Sequence, residues 1–387
     1  MVPAVKRILR FFLWSGLAVL LVAGLIEASL WLFAPVDKRV SQRWAFDNKI
    51  HGLQERVSFT VDGRSLRSWE AEPSAGGTQG GRDFTVLVLG GGATSAMLQN
   101  DAEAWWGRLG ALLQQEFPSA RIHVRALMRE YCTSLQAAKW AETHLAAVNP
   151  DLVIVALGFE DVLSQDGAYV YSPSKLASLE IDSSRRSPLK EWLIDSSQVC
   201  RRLVHRGQRR ALMAKLGPLG EHNAYAQRLA QLRAIHAQLP LAYEVERPEG
   251  RDPLQEYLDG LRTIAGLCQA QGCSLAVVGE PTLHRGLMDG GADRMVYRWF
   301  FKEPSKGNAG AVRLDSGWIE LELGRYYKAA EEFCTSKGVP FTDPTRKLPA
   351  NPLVFVDDVM LTDSGALTLA KTVLPVVKPL VEKKLAP

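Results

Sequence analysis

Residues 84 to 92 read Phe84-Thr85-Val86-Leu87-Val88-Leu89-Gly90-Gly91-Gly92. A continuous apolar run halted by glycines marks a central parallel strand buried on both faces, because a strand with one wet face would alternate polar and apolar residues. Working outward, a helical stretch spans about 103–117, a strand 122–126 and a helix about 134–148. A second apolar run, Leu152 to Leu157, again stops at a glycine, Gly158. Strand, helix, strand, helix, strand predicts an α/β fold with a doubly wound, mainly parallel sheet. The alternation breaks between about 163 and 253, which reads as a helical insertion. It resumes with a helix at 253–271, a strand at 274–279, a helix at about 318–336, a short strand near 339–342 and a closing helix at about 363–384. In such open sheets ligands lie beyond the carboxyl ends of the strands, so residues 90–95, 127–133, 158–164 and 279–285 are expected to converge there.

Upstream, Phe11 to Phe33 is one apolar run carrying a single charge, Glu27. At 1.5 Å rise per residue a helix of this length crosses a hydrocarbon core of about 30 Å. Glu27 followed by Leu30-Trp31-Leu32 stands where a cleaved signal peptide would need small residues, so the segment reads as an uncleaved transmembrane signal anchor. The expected organisation is a cytoplasmic tail at 1–10, the anchor at 11–33, a juxtamembrane segment and linker at 34–82, and the α/β domain at 83–387. Everything after Pro35 would then lie outside the cytoplasm. Glu27 facing lipid is costly, so it is expected to meet a partner helix or to reach water at the outer interface.

The 387 residues carry 46 Lys+Arg against 42 Asp+Glu, a formal net charge of +4. That balance argues against a dedicated nucleic-acid binder. Five cysteines with no CxxC and no His/Cys spacing argue against a zinc site, and neither metal nor cofactor is expected. Cys268 and Cys273 read as two buried thiols, with a disulfide as the alternative in an oxidising compartment.

Four blocks in order resemble the SGNH (GDSL-type) hydrolase family, in its membrane-anchored bacterial branch. Leu87 to Thr94 resembles the first block, and Gly92 stands where the family has its nucleophilic serine. The second block falls near 128–134, with Tyr131 where an oxyanion-binding glycine belongs. Pro150 to Asp161 resembles the Gly-x-Asn-Asp block, with Glu160 at the oxyanion asparagine. Val354 to Gly365 resembles the last block, Phe-x-Asp-x-x-His-Leu-Thr-x-x-Gly, with Asp357 at the triad acid and Met360 at the histidine. The resemblance implies an SGNH or flavodoxin-like scaffold and, through its membrane-anchored branch, a bacterial inner membrane with the α/β domain in the periplasm. Acyl transfer needs a hydroxyl, a base and oxyanion donors, and none stands where the family supplies it.

The missing groups predict an envelope-anchored pseudoenzyme that binds a ligand or partner, and the resemblance implies an accessory role in cell-surface polysaccharide or envelope processes. The first alternative is an active ester hydrolase or O-acetyltransferase with relocated groups, namely Ser95 or Thr94 with His284. It competes with Thr94 and Ser95 as helix caps and His284 as a surface-loop residue. A second alternative is a structural subunit of a membrane complex. Glu160, Asp161, Asp357 and Asp358 are read as structural carboxylates rather than as a cation or acid/base site. In the insertion, Arg202, Arg206 and Arg210 share one helix face, which offers contact with anionic lipid, an acidic glycan or an envelope protein, or simply faces water.

Overall fold

The computed structural model describes residues 2–33, most of 42–71, 82–163 apart from 128 and 130, parts of 196–206, 224–243, most of 252–301, and 311–386. It comprises two compact units.

The first unit combines Met1–Gln42 with Pro173–Pro218. The apolar run lies inside one long helix, α1 (Val2–Phe33). Its side chains are mostly bare; Trp14, Leu17, Val19, Leu21, Val22, Leu25, Ile26 and Leu32 are all exposed. Glu27 is half-buried, because residues 197–199 donate to its carboxylate.

The second unit combines Arg43–Ser172 with Leu219–Pro387. In chain order it opens with β1 (Gln42–Asp47), β2 (Arg56–Val61), β3 (Leu66–Glu70) and β4 (Asp83–Gly90), followed by α2 (Gly92–Ser95) and α3 (Trp105–Glu116). Next come β5 (Arg121–Leu127), α4 (Ser134–Val148), β6 (Leu152–Leu157), α5 (Phe159–Leu163), α6 (Ala224–Gln238) and β7 (Leu241–Ala242). Then follow α7 (Pro253–Gln271), β8 (Ser274–Gly279), α8 (Gly290–Asp293), β9 (Phe300–Phe301) and β10 (Ala311–Leu314). The unit closes with α9 (Ser316–Lys337), β11 (Phe341–Thr342) and α10 (Asp363–Leu385).

The main sheet runs β11-β8-β6-β4-β5-β3. All neighbours are parallel except β3, which pairs antiparallel with β5 from Leu66↔Leu127 to Glu70↔His123. Taking β4 as the first parallel strand, the order is 2-1-3-4-5, the doubly wound order whose switch point lies between the first and third strands. Every residue of β6 is buried, as a strand covered on both faces requires. Helices α4, α7 and α9 cover one face, and α3 and α10 the other. Helix α10 is long and apolar enough to cross a membrane, but its Leu369, Val373, Val377 and Val381 belong to the core.

Helix starts follow the local chemistry. Thr133 and Gln136 form a reciprocal capping box on α4. Asp252, followed by Pro253, starts α7, and Asp315 and Thr362 start α9 and α10. Gly272 and Gly338 end α7 and α9 in the left-handed region.

Two boundaries differ from the sequence reading. Residues 56–70, expected in a juxtamembrane linker, belong to the α/β unit, with β3 as an edge strand of the main sheet. A short, half-polar edge strand lacks the apolar run by which central strands are recognised. The insertion also divides: 173–218 joins α1, whereas α6 and β7 belong to the α/β unit, where β7 pairs with β10 in a small second sheet. Cys268 and Cys273 are both free thiols, the first buried and the second half-buried.

Candidate functional site

The loops at the carboxyl ends of β4, β6 and β8 converge as expected. Gly91, Glu280, Phe159 and His284 meet there. The first turn is filled by an acid: a Cβ on Gly91 would stand 2.6 Å from Glu280 Oε1, and the same oxygen accepts from the Ala93 N–H at 3.4 Å. Gly92 offers no hydroxyl. Thr94 and Ser95 are fully buried, and Ser95 Oγ donates back to Gly92 O at 2.8 Å. They lie inside α2 and neither caps a helix, which corrects that expectation.

Glu160 and Asp161 are buried at the start of α5. Asp161 Oδ1 accepts from Ser134 N–H at 2.9 Å and from Ser134 Oγ at 2.7 Å, tying α5 to the start of α4. Burial pushes its carboxyl up to about 7, against the lowering effect of the Ser134 bonds. Burial also pushes the Cys132 thiol up to about 12, which disfavours its thiolate. Tyr131 is exposed.

In the last block, Asp357 and Asp358 point to different partners. Asp357 Oδ1 accepts from its own chain, at Val359 N–H (3.0 Å) and Met360 N–H (2.8 Å). Met360 is buried in an apolar cluster with Leu98, Leu229, Tyr297 and Val356. Asp358 instead faces His284, with Nε2 at 2.9 Å from Oδ1, while Oδ2 accepts from Tyr297 N–H at 3.1 Å. The other ring nitrogen, Nδ1, lies 2.9 Å from Ser316 Oγ. Ser316, His284 and Asp358 thus form one hydrogen-bonded chain.

This chain is held from several sides. Thr282 Oγ1 and Leu283 N–H both donate to Asp358 O, at 2.9 and 2.8 Å, and the His284 N–H donates to Thr282 Oγ1 at 3.2 Å. The imidazole stacks on Phe159 with ring centroids 5.5 Å apart. His236 sits near the same carboxylate, and burial holds its pKa below the ordinary histidine value. His284 is only 3% exposed, so it is a core group and not the surface-loop residue the sequence suggested. Its hydroxyl partner is Ser316 and not Ser95, because Ser95 is turned inward onto Gly92.

Ser316 is the first residue of α9, directly after β10 and the cap Asp315. It is half-buried. Trp318 N–H donates to Asp315 Oδ1 at 3.0 Å, and Ile319 N–H to Asp315 O at 3.2 Å. The N–H groups of Ser316 and Gly317 precede the helical ladder and have no acceptor within the helix. The sequence signal for Ser316 was its place in a strand–Asp–Ser–Gly–helix junction, but the weak, short β10 hid the strand.

Arg67 on β3 is fully buried and organises the loop after α2. It donates to Asp101 Oδ1 at 2.8 Å and to the carbonyls of Ser95 (2.8 Å), Ala96 (2.7 Å) and Gln99 (2.7 Å). Its guanidinium lies over Phe59, 3.9 Å from the ring centroid. In the insertion, Arg202 is half-buried and Arg206 exposed, while Arg210 lies outside the described residues.

No protein-family model matches this chain, and no curated protein matches it. Among solved structures it is similar to a carbohydrate acetylesterase family member from Sinorhizobium meliloti, at 12% identity and TM-score 0.40, over 77% of this chain and 99% of that one. It is also similar to a mutant of Axe2, an acetylxylan esterase from Geobacillus stearothermophilus, at 12% identity and TM-score 0.41, over 78% and 96% of the two chains. At this identity and these scores the likeness assigns neither activity nor substrate.

Proposed function

We propose that this chain is a serine-dependent ester hydrolase or acyl transferase that uses Ser316, His284 and Asp358 in place of the SGNH family's own positions. The observation that carries the reading is the unbroken chain from Ser316 Oγ through His284 to Asp358, with both links at 2.9 Å. A carboxylate at Nε2 favours the tautomer with its proton there and leaves Nδ1 to accept from Ser316. The two ring nitrogens are exchanged relative to the usual triad, but triads are defined by roles, and the roles are filled.

In the forward step His284 Nδ1 takes the Ser316 proton as Oγ bonds to the acyl carbon. The tetrahedral oxyanion meets the Ser316 and Gly317 N–H groups at the positive end of α9. His284 then returns the proton to the leaving alcohol as the ester bond breaks. Water hydrolyses the acyl-serine, or an acceptor alcohol takes the acyl group. The SGNH resemblance favours an acyl ester on a cell-surface carbohydrate. The apolar α1 favours anchorage in a bacterial cytoplasmic membrane with the α/β unit outside.

A fluorophosphonate probe on the full chain in detergent tests the chemistry. The expected adduct maps to Ser316, disappears in Ser316→Ala and falls sharply in His284→Gln. Absence of the adduct from the unaltered protein overturns the proposal. One observation favours a second reading, a binding protein without chemistry: the inherited crevice holds Gly92 and Met360 at the catalytic positions, and Glu280 fills the first turn.

A further inference from the structure

Glu27, the one charge in the apolar run, is taken up by the insertion. Oε2 accepts from Ser197 Oγ at 3.0 Å and from Val199 N–H at 3.2 Å, and Oε1 accepts from Gln198 N–H. Ser197 Oγ also accepts from Cys200 N–H at 3.1 Å, which fixes its proton toward the carboxylate. Gln198 is fully buried at this junction.

The level of the contact matters. Glu27 lies six residues before Phe33, the end of α1, which at 1.5 Å per residue is about 9 Å inside the helix end. At that depth a carboxylate turned to hydrocarbon is expensive, and three donors from one turn offset the cost. Apolar side chains of α1 at this level are bare: Val22, Leu25, Ile26 and Leu32 are exposed. Directly after the docked turn, Leu203 is 64% exposed and Arg206 is exposed as well. An apolar side chain and an arginine bare on one short segment suit the boundary between acyl chains and headgroups, with Leu203 reaching inward and Arg206 toward phosphate.

We infer that the turn at 196–200, docked on the anchor through Glu27, belongs with Leu203 and Arg206 to a second membrane-contacting element that meets anionic phospholipid headgroups through Arg206 in the leaflet at the Phe33 end of α1. This rests on α1 lying in a bilayer and is independent of the chemistry proposed for Ser316.

The full chain, reconstituted in phosphatidylcholine vesicles with or without phosphatidylglycerol, tests it. Cys200 is half-buried, whereas Cys132, Cys268 and Cys334 are buried, so a Cys273→Ser background directs a bimane label to Cys200. Lipids carrying a nitroxide near the headgroup are expected to quench the label several-fold, and more strongly with phosphatidylglycerol present. Arg206→Glu removes the phosphatidylglycerol increment. Glu27→Leu abolishes most of the quenching in both vesicles, and Glu27→Gln, which keeps one acceptor, retains part of it. Unquenched label overturns the inference, as does quenching indifferent to Glu27. An increment absent with phosphatidylglycerol overturns the lipid partner in favour of an acidic glycan or protein. A chain that fails to float with vesicles overturns the anchor and this inference together, while leaving labelling of Ser316 as a separate result.

Discussion

Asp357 and Asp358 are consecutive, yet Asp357 Oδ1 accepts from Met360 N–H at 2.8 Å while Asp358 Oδ1 lies 2.9 Å from His284 Nε2. One carboxylate shapes its own turn, and the other reaches across to the loop after β8. The resemblance to the SGNH family makes Asp357 the triad acid, whereas the reading proposed for Ser316 makes it Asp358, the carboxylate that meets His284. The two readings lead to opposite results at adjacent positions.

Asp358→Asn removes the charge that sets the His284 tautomer and stabilises the imidazolium. Changes of this type cost on the order of 10⁴ in rate when the triad geometry is otherwise kept. Asp358→Asn is therefore expected to slow fluorophosphonate labelling of Ser316 by about that factor. Asp357→Asn keeps an acceptor for the Val359 and Met360 N–H groups and is expected to alter the labelling rate by less than about tenfold. Labelling rates of the two variants, measured side by side, check both expectations, and the reverse order contradicts the assignment.

Arg67 holds the loop after α2 to the edge strand β3. Its charge is desolvated, and burial lowers its pKa while Asp101 raises it; burial likewise raises the pKa of Asp101, against the effect of Arg67. The pair is held less by net attraction than by the cost of leaving either group alone. Arg67→Leu strips the donors from three carbonyls and leaves Asp101 without this partner. The expected loss is about 3 kcal/mol, a fall of roughly 6–12 °C in the unfolding midpoint for a domain of this size. Arg67→Lys keeps the charge but not the planar set of donors, and is expected to lose more than half as much. Thermal unfolding of the full chain in detergent, followed by tryptophan fluorescence, measures both.

The central strands were legible because burial on both faces leaves an unbroken apolar run in the chain. Residues 84–89, 152–157 and 274–279 all carry one. β3 was not legible, since an edge strand with Arg67, Ser68 and Glu70 looks like a polar linker until Arg67 is seen satisfied by Asp101 and three carbonyls. His284 was singled out, but its setting was misjudged. A histidine between Leu283 and Arg285 reads as loop surface, and only the fold brings Asp358, 74 residues away, to its ring. Ser316 was missed for the same reason: its partners are distant in sequence and its strand is short.

The crevice at Gly92 gives a further test. Installing the residues that the SGNH resemblance calls for, with Gly92→Ser, Glu160→Asn and Met360→His, is expected to yield no new turnover on a small activated acetyl ester. Glu280 Oε1 still occupies the turn beside Gly91 and already holds the Ala93 N–H. A histidine at 360 would also sit in the apolar cluster around Val356 and Tyr297. Ester hydrolysis that persists in the triple variant is expected to remain sensitive to Ser316→Ala. Turnover that is gained by the triple variant and survives Ser316→Ala would show that the crevice at Gly92 can support the chemistry without Ser316.

Asp161 gives the protein a pH dependence of known sign. Burial raises its folded pKa to about 7, whereas the unfolded carboxyl titrates near the ordinary aspartate value of 3.8. Between these values the folded state holds more protons than the unfolded state, so stability falls as pH rises from about 4 to about 7 and then levels off. Asp161→Asn keeps an acceptor for the Ser134 N–H and Oγ but has no proton to lose. In that variant this contribution vanishes, and the unfolding midpoint changes less between pH 4 and 7 than in the unaltered protein. Midpoints measured across that range for both proteins decide it: a parallel pair of curves would mean that Asp161 stays ionised in the fold throughout.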